Sequence, residues 1–136
     1  MKFLPPDEQR SRTMRAVKSE NTGPEWTVRR AVHALGYRYR LHAPDLPGKP
    51  DLVLRSRRKV IFVHGCFWHG HTCARGARMP VRNREYWTAK IARNHQRDLS
   101  NVRRLRDDGW KVLVVWECQT REEGRLRARL RKFLEK

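Results

Sequence analysis

Apolar residues recur along this chain with two different periods, and the alternation between them lays out the elements. Thr22, Gly23, Pro24 and Glu25 read as an N-cap, a proline in the first helical turn and an acid at the positive helix end, so a helix is predicted from there to about Leu35, stopped by Gly36. Tyr37 to Leu41 alternates aromatic with basic residues, as a half-buried strand does, and HAPDLPGKP follows as a loop. Asp51 to Leu54 and Lys59 to Val63 are β-rich runs joined by the basic turn RSRR, which predicts a hairpin. Residues 74–84 (ARGARMPVRNR) read as a basic loop. Trp87, Ile91, His95, Leu99, Val102 and Leu105 then follow at helical spacing up to Gly109, predicting a long amphipathic helix. Lys111 to Glu117 (KVLVVWE) is a buried strand that delivers Cys118, and Leu126, Leu130, Phe133 and Leu134 mark a final amphipathic helix. The order is helix, three strands, helix, strand, helix, an α/β arrangement. Residues 1–21 carry charges, Pro5 and Pro6 but little periodicity; they are expected to be a flexible arm that orders on a partner, with residues 22–136 as one domain.

Composition narrows the partner. At 136 residues the chain suits a single domain, and 32 Lys and Arg against 14 Asp and Glu leave a formal charge of +18. Such an excess opposes compaction unless a polyanion supplies counter-charge, which points to nucleic acid. A membrane surface is the competing polyanion. The cations are spread over the whole chain, however, and no run approaches the roughly 18 apolar residues that span a bilayer. The opening MKFLPPDEQR turns polar too early for a secretory signal, so a cytoplasmic, monomeric protein is expected. Three cysteines cannot all pair, and their spacing beside histidines suits a metal in a reducing compartment.

The chemistry concentrates where the second hairpin strand ends. His64, Cys66, His69, His71 and Cys73 crowd into ten residues. Cys66, His71, Cys73 and the distant Cys118 make a four-ligand set of the kind tetrahedral structural zinc takes, provided Cys118 leaves a parallel neighbour strand at the same sheet edge. The bland alternative is a group of buried thiols. His64 and His69 are then free for proton transfer near neutral pH, or are ordinary surface histidines. Asp51, after Pro50 at a strand start, is a candidate ligand for a hard cation such as Mg²⁺, or else a turn aspartate. Glu25 reads locally as a helix-dipole partner able to orient an imidazole. Phe67 and Trp68, on a glycine-flanked loop, either wedge into a base stack or cover the zinc, and Tyr86 and Trp87 are similar in kind. Arg75, Arg78, Arg82 and Arg84 read as phosphate contacts or as a solvated loop.

Together, PGKPDLVL, VIFVHGCFWHGHTC and GWKVLVVWEC, with RSRTMRAV and NTGPE upstream, resemble the very short patch repair endonucleases, the mismatch nickases of bacteria. The resemblance implies a restriction-endonuclease-like core of the PD-(D/E)XK type, a mixed β-sheet flanked by helices, with a structural zinc. It implies a single-strand cut 5′ of the thymine in a T:G mismatch left by deamination of 5-methylcytosine. Double-stranded DNA would then be the substrate, and mismatch-repair proteins and a cognate cytosine methyltransferase its cellular company at the nucleoid. By the same resemblance Asp51 is the Mg²⁺ carboxylate, with backbone oxygen of Val63 helping to complete the shell. His69 activates water, and His64 with Glu25 forms the supporting pair. Cys66, His71, Cys73 and Cys118 hold one zinc; Met14, Phe67, Trp68 and Trp87 match the intercalating wedge; Lys90 and Asn94 match base-reading residues. Phe62 and His64 stand where the wider nuclease fold carries an acid and a lysine.

Two alternatives accompany this expectation: a nickase of the same fold acting on matched, modified or foreign DNA, and a non-catalytic zinc module that binds distorted DNA. The charge carries a test of its own. Each phosphate neutralised contributes about 0.9 to the slope of log affinity against log salt. Replacing Arg78 and Arg82 by alanine is expected to flatten that slope by about two units and leave the ratio of mismatched to matched binding nearly unchanged, because phosphate contacts do not read bases. Salt titrations on both duplexes check it.

Overall fold

The computed structural model describes residues 22–69, 71–73 and 81–136, so the expected arm and residues 74–80 of the basic loop, with Met14, Arg75 and Arg78, lie outside the described residues. Helix α1 (Gly23–Ala34) begins as its cap predicts: Thr22 Oγ1 accepts from the Glu25 N–H at 3.3 Å, and Pro24 occupies the first turn. Strands β1 (Arg40–Leu41), β2 (Leu52–Leu54) and β3 (Lys59–His64), helix α2 (Arg84–Asp107), strand β4 (Lys111–Trp116) and helix α3 (Glu123–Leu134) follow. The expected strand at 37–41 is regular only at its last two residues, although Tyr37 and Tyr39 do pack on the core while Arg38 and Arg40 are exposed. The RSRR segment is a short 3-10 turn ending in Arg58 with φ of 52°.

The sheet is four-stranded and mixed, in the order β1-β2-β3-β4, with the first two pairings antiparallel and β3 parallel to β4. Antiparallel neighbours need only the short turn, whereas the parallel step requires a crossover, which α2 supplies. Strand residues alternate between two cores. Leu52, Leu54, Ile61 and Val115 meet α1 and α3 through Val28, Val32, Leu126, Leu130 and Leu134. Val53, Val60 and Phe62 meet Leu105 of α2 and Trp110, with Val112 and Val114 beside them. Helices therefore cover both faces, which is why β2 and β3 read as nearly unbroken apolar runs.

The inward face of α2 departs from the expected stripe. Trp87, Ile91 and Leu105 are buried, but His95 is exposed and Leu99 is 52% exposed; Asn94 and Asp98 take the inward positions instead. Repeated steps of four residues advance about 40° per turn beyond a full circle, so a stripe must alternate fours with threes to stay on one face. The steps 87, 91, 94, 98 do that, and they bring polar side chains toward the sheet.

Lys59 closes the opposite end of the sheet. Its ammonium, on a residue 3% exposed, donates to the carbonyls of Phe133, Leu134 and Lys136 at 2.9, 2.8 and 2.8 Å, serving the unpaired carbonyls at the C-terminus of α3. Lys59→Met retains the stem and removes the donors. Chemical denaturation is expected to show a loss of roughly 2–3 kcal/mol, the scale of losing charge-assisted bonds around a buried ammonium.

Candidate active site and metal centre

Parallel pairing of β3 with β4 sets His64 opposite Trp116, so both strands leave the sheet at the same edge. Cys66 follows the first exit and Cys118 lies in the 3-10 turn Glu117–Arg121 after the second. With His71 and Cys73 from the loop, one ligand atom from each residue lies within 4.8 Å of the others. The Cys118 Sγ to His71 Nδ1 separation is 3.6 Å, close to the edge of a tetrahedron built on metal–ligand bonds of about 2.0–2.3 Å. Outer contacts hold the ligands: the Cys118 N–H points to Cys66 Sγ at 3.4 Å, the Cys66 N–H donates to Glu117 at 3.3 Å, and His71 stacks on Trp116 with centroids 4.3 Å apart. Burial, and then the thiols of Cys73 and Cys118, push Cys66 up to about 12, against the Cys118 N–H. A metal cation that binds the sulfur displaces the proton of such a thiol into solvent, which water alone does not do near neutral pH, so the donor set fits a thiophilic metal.

A second cluster joins His64, His69 and Asp98. Asp98 Oδ2 accepts from His69 Nδ1 at 2.5 Å, and the His64 and His69 rings stack with centroids 3.9 Å apart and planes within 4°. The carboxylate favours the tautomer with the proton on Nδ1, in which Nε2 faces away as the acceptor, the arrangement of an oriented base. His64 is buried, and its Nδ1 lies 4.0 Å from Asp98 without a hydrogen-bond partner among the described residues. Burial, followed by the charge of His69, lowers it to about 4, against the pull of Asp98, so it stays neutral beside its neighbour.

The third cluster contains Asp51, Glu25 and His42. Asp51 Oδ2 accepts the Val63 N–H at 2.6 Å. His42 Nε2 is 3.2 Å from Glu25 Oε2 and 3.9 Å from Asp51 Oδ1, and Arg29 donates to the same Glu25 oxygen at 2.9 Å. Burial raises the Asp51 carboxyl to about 7; the Val63 N–H opposes this, Glu25 adds to it, and the charges of His42 and His69 oppose it. An acid so raised gains from a cation, and it bonds to the N–H of Val63, which directly precedes His64 of the second cluster in the chain.

Aromatic residues line the loop side of these clusters. Trp87 meets Phe67, Trp68 and Tyr86 with centroids 5.8, 5.7 and 4.9 Å away. It is 3% exposed, beneath Phe67 and Trp68 rather than beside them, and its indole N–H has no hydrogen-bond partner among the described residues. The Lys90 ammonium lies 5.6 Å from the centre of the Trp68 ring, and Asn94 donates to the Trp68 carbonyl at 3.0 Å, so both brace the aromatic group in this structure. Arg82 and Arg84 are exposed at the start of α2.

The structure thus gathers Cys66, His71, Cys73 and Cys118 as expected, and it divides the remaining residues: Glu25 joins Asp51, and His64 joins His69. Sequence reasoning passed over Arg29, His42 and Asp98. Asp98 left a signal, a carboxylate in register with Trp87, Ile91 and Asn94; His42 left none, because its left-handed backbone, with φ of 47°, has no spacing signature in a residue other than glycine.

An oriented base next to an acid able to hold a cation, at the open edge of a mixed sheet, is the equipment of a hydrolase. The family model described as DNA mismatch endonuclease Vsr matches residues 4–75, and the chain belongs to that family, which makes it a DNA endonuclease. A type II nicking enzyme of Xanthomonas oryzae pv. oryzae is 50% identical over 128 residues, covering 94% of this chain and 93% of its own. One from Neisseria meningitidis serogroup A is 40% identical over 93% of this chain and 89% of its own. The DNA mismatch endonuclease Vsr of Escherichia coli K12 is 40% identical over 86% of this chain and 74% of its own. No helix among the described residues is long and apolar enough to cross a membrane.

The raised acid has a measurable cost. Between about pH 4 and 7 folded Asp51 keeps a proton that the unfolded chain, with a carboxyl near 3.8, has released, so stability falls as pH rises through that window. Asp51→Asn retains an acceptor for Val63 and cannot ionise. Without Mg²⁺ the variant is expected to gain on wild type by roughly 2–3 kcal/mol between pH 5 and pH 8. Denaturation at both pH values checks it, and added Mg²⁺ should stabilise wild type alone.

Proposed function

We propose that the protein is a Mg²⁺-dependent strand-specific nickase of mismatch repair, cutting 5′ of the thymine in a T:G pair left by deamination of 5-methylcytosine, with one structural zinc. The observation that carries this is the 2.5 Å contact of Asp98 with His69, an oriented base just past the end of β3, the strand whose Val63 N–H holds Asp51. His69 Nε2 takes the proton of the attacking water; Asp98 holds Nδ1 and stabilises the imidazolium as it forms. His64, neutral and stacked, keeps the ring in place, while Glu25 supports Asp51. Asp51 and the Val63 carbonyl would hold the cation, which when bound supplies positive charge to the phosphate oxygens. Cys66, His71, Cys73 and Cys118 would hold zinc and anchor the loop. Phe67 and Trp68 would enter the base stack with Met14 and, once uncovered, Trp87; a weak T:G pair lowers the cost of that unstacking. Lys90 and Asn94 would pass from bracing Trp68 to reading bases, and Arg75, Arg78, Arg82 and Arg84 would contact phosphate.

The restriction-endonuclease-like core belongs to the same reading: Asp51 opens β2, β3 returns beside it, and α2 leads to the parallel β4. Phe62 is buried in the core, and β3 (KVIFVH) contains neither Asp nor Glu, so it offers no second carboxylate. Residues 22–136 would act as one monomeric nuclease domain in the bacterial cytoplasm, on the nucleoid, with residues 1–21 as an arm ordered by DNA. Mismatch-repair proteins and a cognate cytosine methyltransferase are its natural company there. A second reading, nicking of matched, modified or foreign DNA, is favoured by the names of the nicking enzymes from Xanthomonas and Neisseria. The His69–Asp98 pair argues against a silent zinc module, which needs no oriented base.

Purified protein incubated with matched and T:G duplexes, with and without Mg²⁺, separates these readings. The expected product is one nick 5′ of the mismatched thymine, dependent on Mg²⁺. His69→Ala should slow it by roughly 10²–10⁴, and Asp51→Ala should abolish it while leaving duplex affinity near normal. Equal cutting of the matched duplex would favour the second reading, and no cutting of any duplex would leave only binding.

A further inference from the structure

His42 is the one member of the Asp51 cluster that neither the helix start nor the strand pattern announced. Backbone and side-chain contacts locate it. Its backbone N–H donates to the Asp51 carbonyl at 3.2 Å, continuing the ladder that pairs Leu41 with Leu52. Its Nε2 stands 3.2 Å from Glu25 Oε2 and 3.9 Å from Asp51 Oδ1. Behind it Arg29, itself 2% exposed, donates to that Glu25 oxygen at 2.9 Å, lies 3.4 Å from His42 Nε2, and rests its guanidinium 4.8 Å from the centre of the Trp26 ring. We propose that His42 is a positioning residue for the cation-binding carboxylate: anchored on Glu25 at hydrogen-bond distance, its ring stands 3.9 Å from the Asp51 oxygen that the Val63 N–H leaves untouched and limits where that oxygen can turn.

Asp51 has two oxygens, and a carboxylate held by one alone can swing about its terminal torsion, which is broad. Val63 holds Oδ2 at 2.6 Å. The imidazole stands over Oδ1 at a separation set by strand pairing rather than by a long flexible side chain, and the left-handed backbone of His42, with φ of 47°, aims it there. Strain of this kind persists where the surroundings over-determine it. The nearby guanidinium disfavours a cation on Nε2 itself, so His42 acts through Asp51 and not as a ligand. Partners that hold a metal-binding side chain are typically worth 10–100-fold in metal affinity.

The inference rests on Asp51 as the cation's ligand, and its test keeps the two apart. Zinc-loaded protein is titrated with Mn²⁺, whose electron paramagnetic resonance reports binding without DNA or turnover. Wild type should bind, and Asp51→Ala should not; if Asp51→Ala binds as wild type does, the function proposed above loses its cation site. Given that control, His42→Ala should weaken Mn²⁺ about tenfold, while duplex affinity measured without the ion stays within about twofold. His42→Asn tolerates the left-handed backbone but is too short to span the carboxylates, so it should weaken Mn²⁺ equally with the fold intact. His42→Gln, whose amide can reach both, should recover most of the loss. Unchanged Mn²⁺ affinity in a folded His42→Asn protein overturns the proposal. So does a ¹⁴N coupling to the bound Mn²⁺ that disappears in His42→Ala, since His42 would then be a ligand.

Discussion

The parallel pairing of β3 with β4 is the constraint on which the site depends. Six residue pairs, from Lys59 with Lys111 to His64 with Trp116, put the two strand exits side by side. Cysteines more than fifty positions apart become neighbours only because of that register. Parallel pairing also obliges the chain to cross the sheet, and the crossover helix carries Asn94 and Asp98 past the end of β3. A slip of one residue would reverse the faces of β3, sending His64 away from Asp98 and Lys59 away from the C-terminus of α3.

Stability is surrendered at the edge that carries the chemistry. Apolar side chains at the half-buried positions of Asn94 and Asp98 would extend the core on that face. Polar groups stand there instead, one on the Trp68 carbonyl and one on His69. Asp51 is pushed up to about 7 in the fold, and His64 is held neutral. Two apolar cores, one on each face of the sheet, supply the compensation. The charge of +18 adds self-repulsion that a polyanionic substrate relieves. Self-association of the aromatics belongs to the same balance: Phe67, Trp68, Tyr86 and Trp87 cover one another.

Local signals account for most of the elements. The cap at Thr22, the two β-rich runs and the apolar spacing of α3 each specify an element from a few neighbouring residues, and each is present. The four candidate metal ligands were legible because Cys and His are scarce residues whose clustering has few structural uses. The stripe on α2 was misread through Leu99, where four-residue steps drift off the helix face, and that slip concealed Asp98. The short extent of β1 escaped because its length depends on how far β2 reaches alongside it.

Residue type and spacing by themselves determined the α/β order, the basic charge, the thiol–imidazole set and the aspartate opening a strand, since these follow from short-range periodicity and side-chain chemistry. Tertiary structure alone decided the grouping. It joined Glu25 to Asp51 through His42, gave Asp98 to His69, and laid Trp87 under Phe67 and Trp68. Those pairings depend on sheet register, on helix rotation over the sheet and on a left-handed backbone at one histidine, quantities set by packing between residues far apart in the chain.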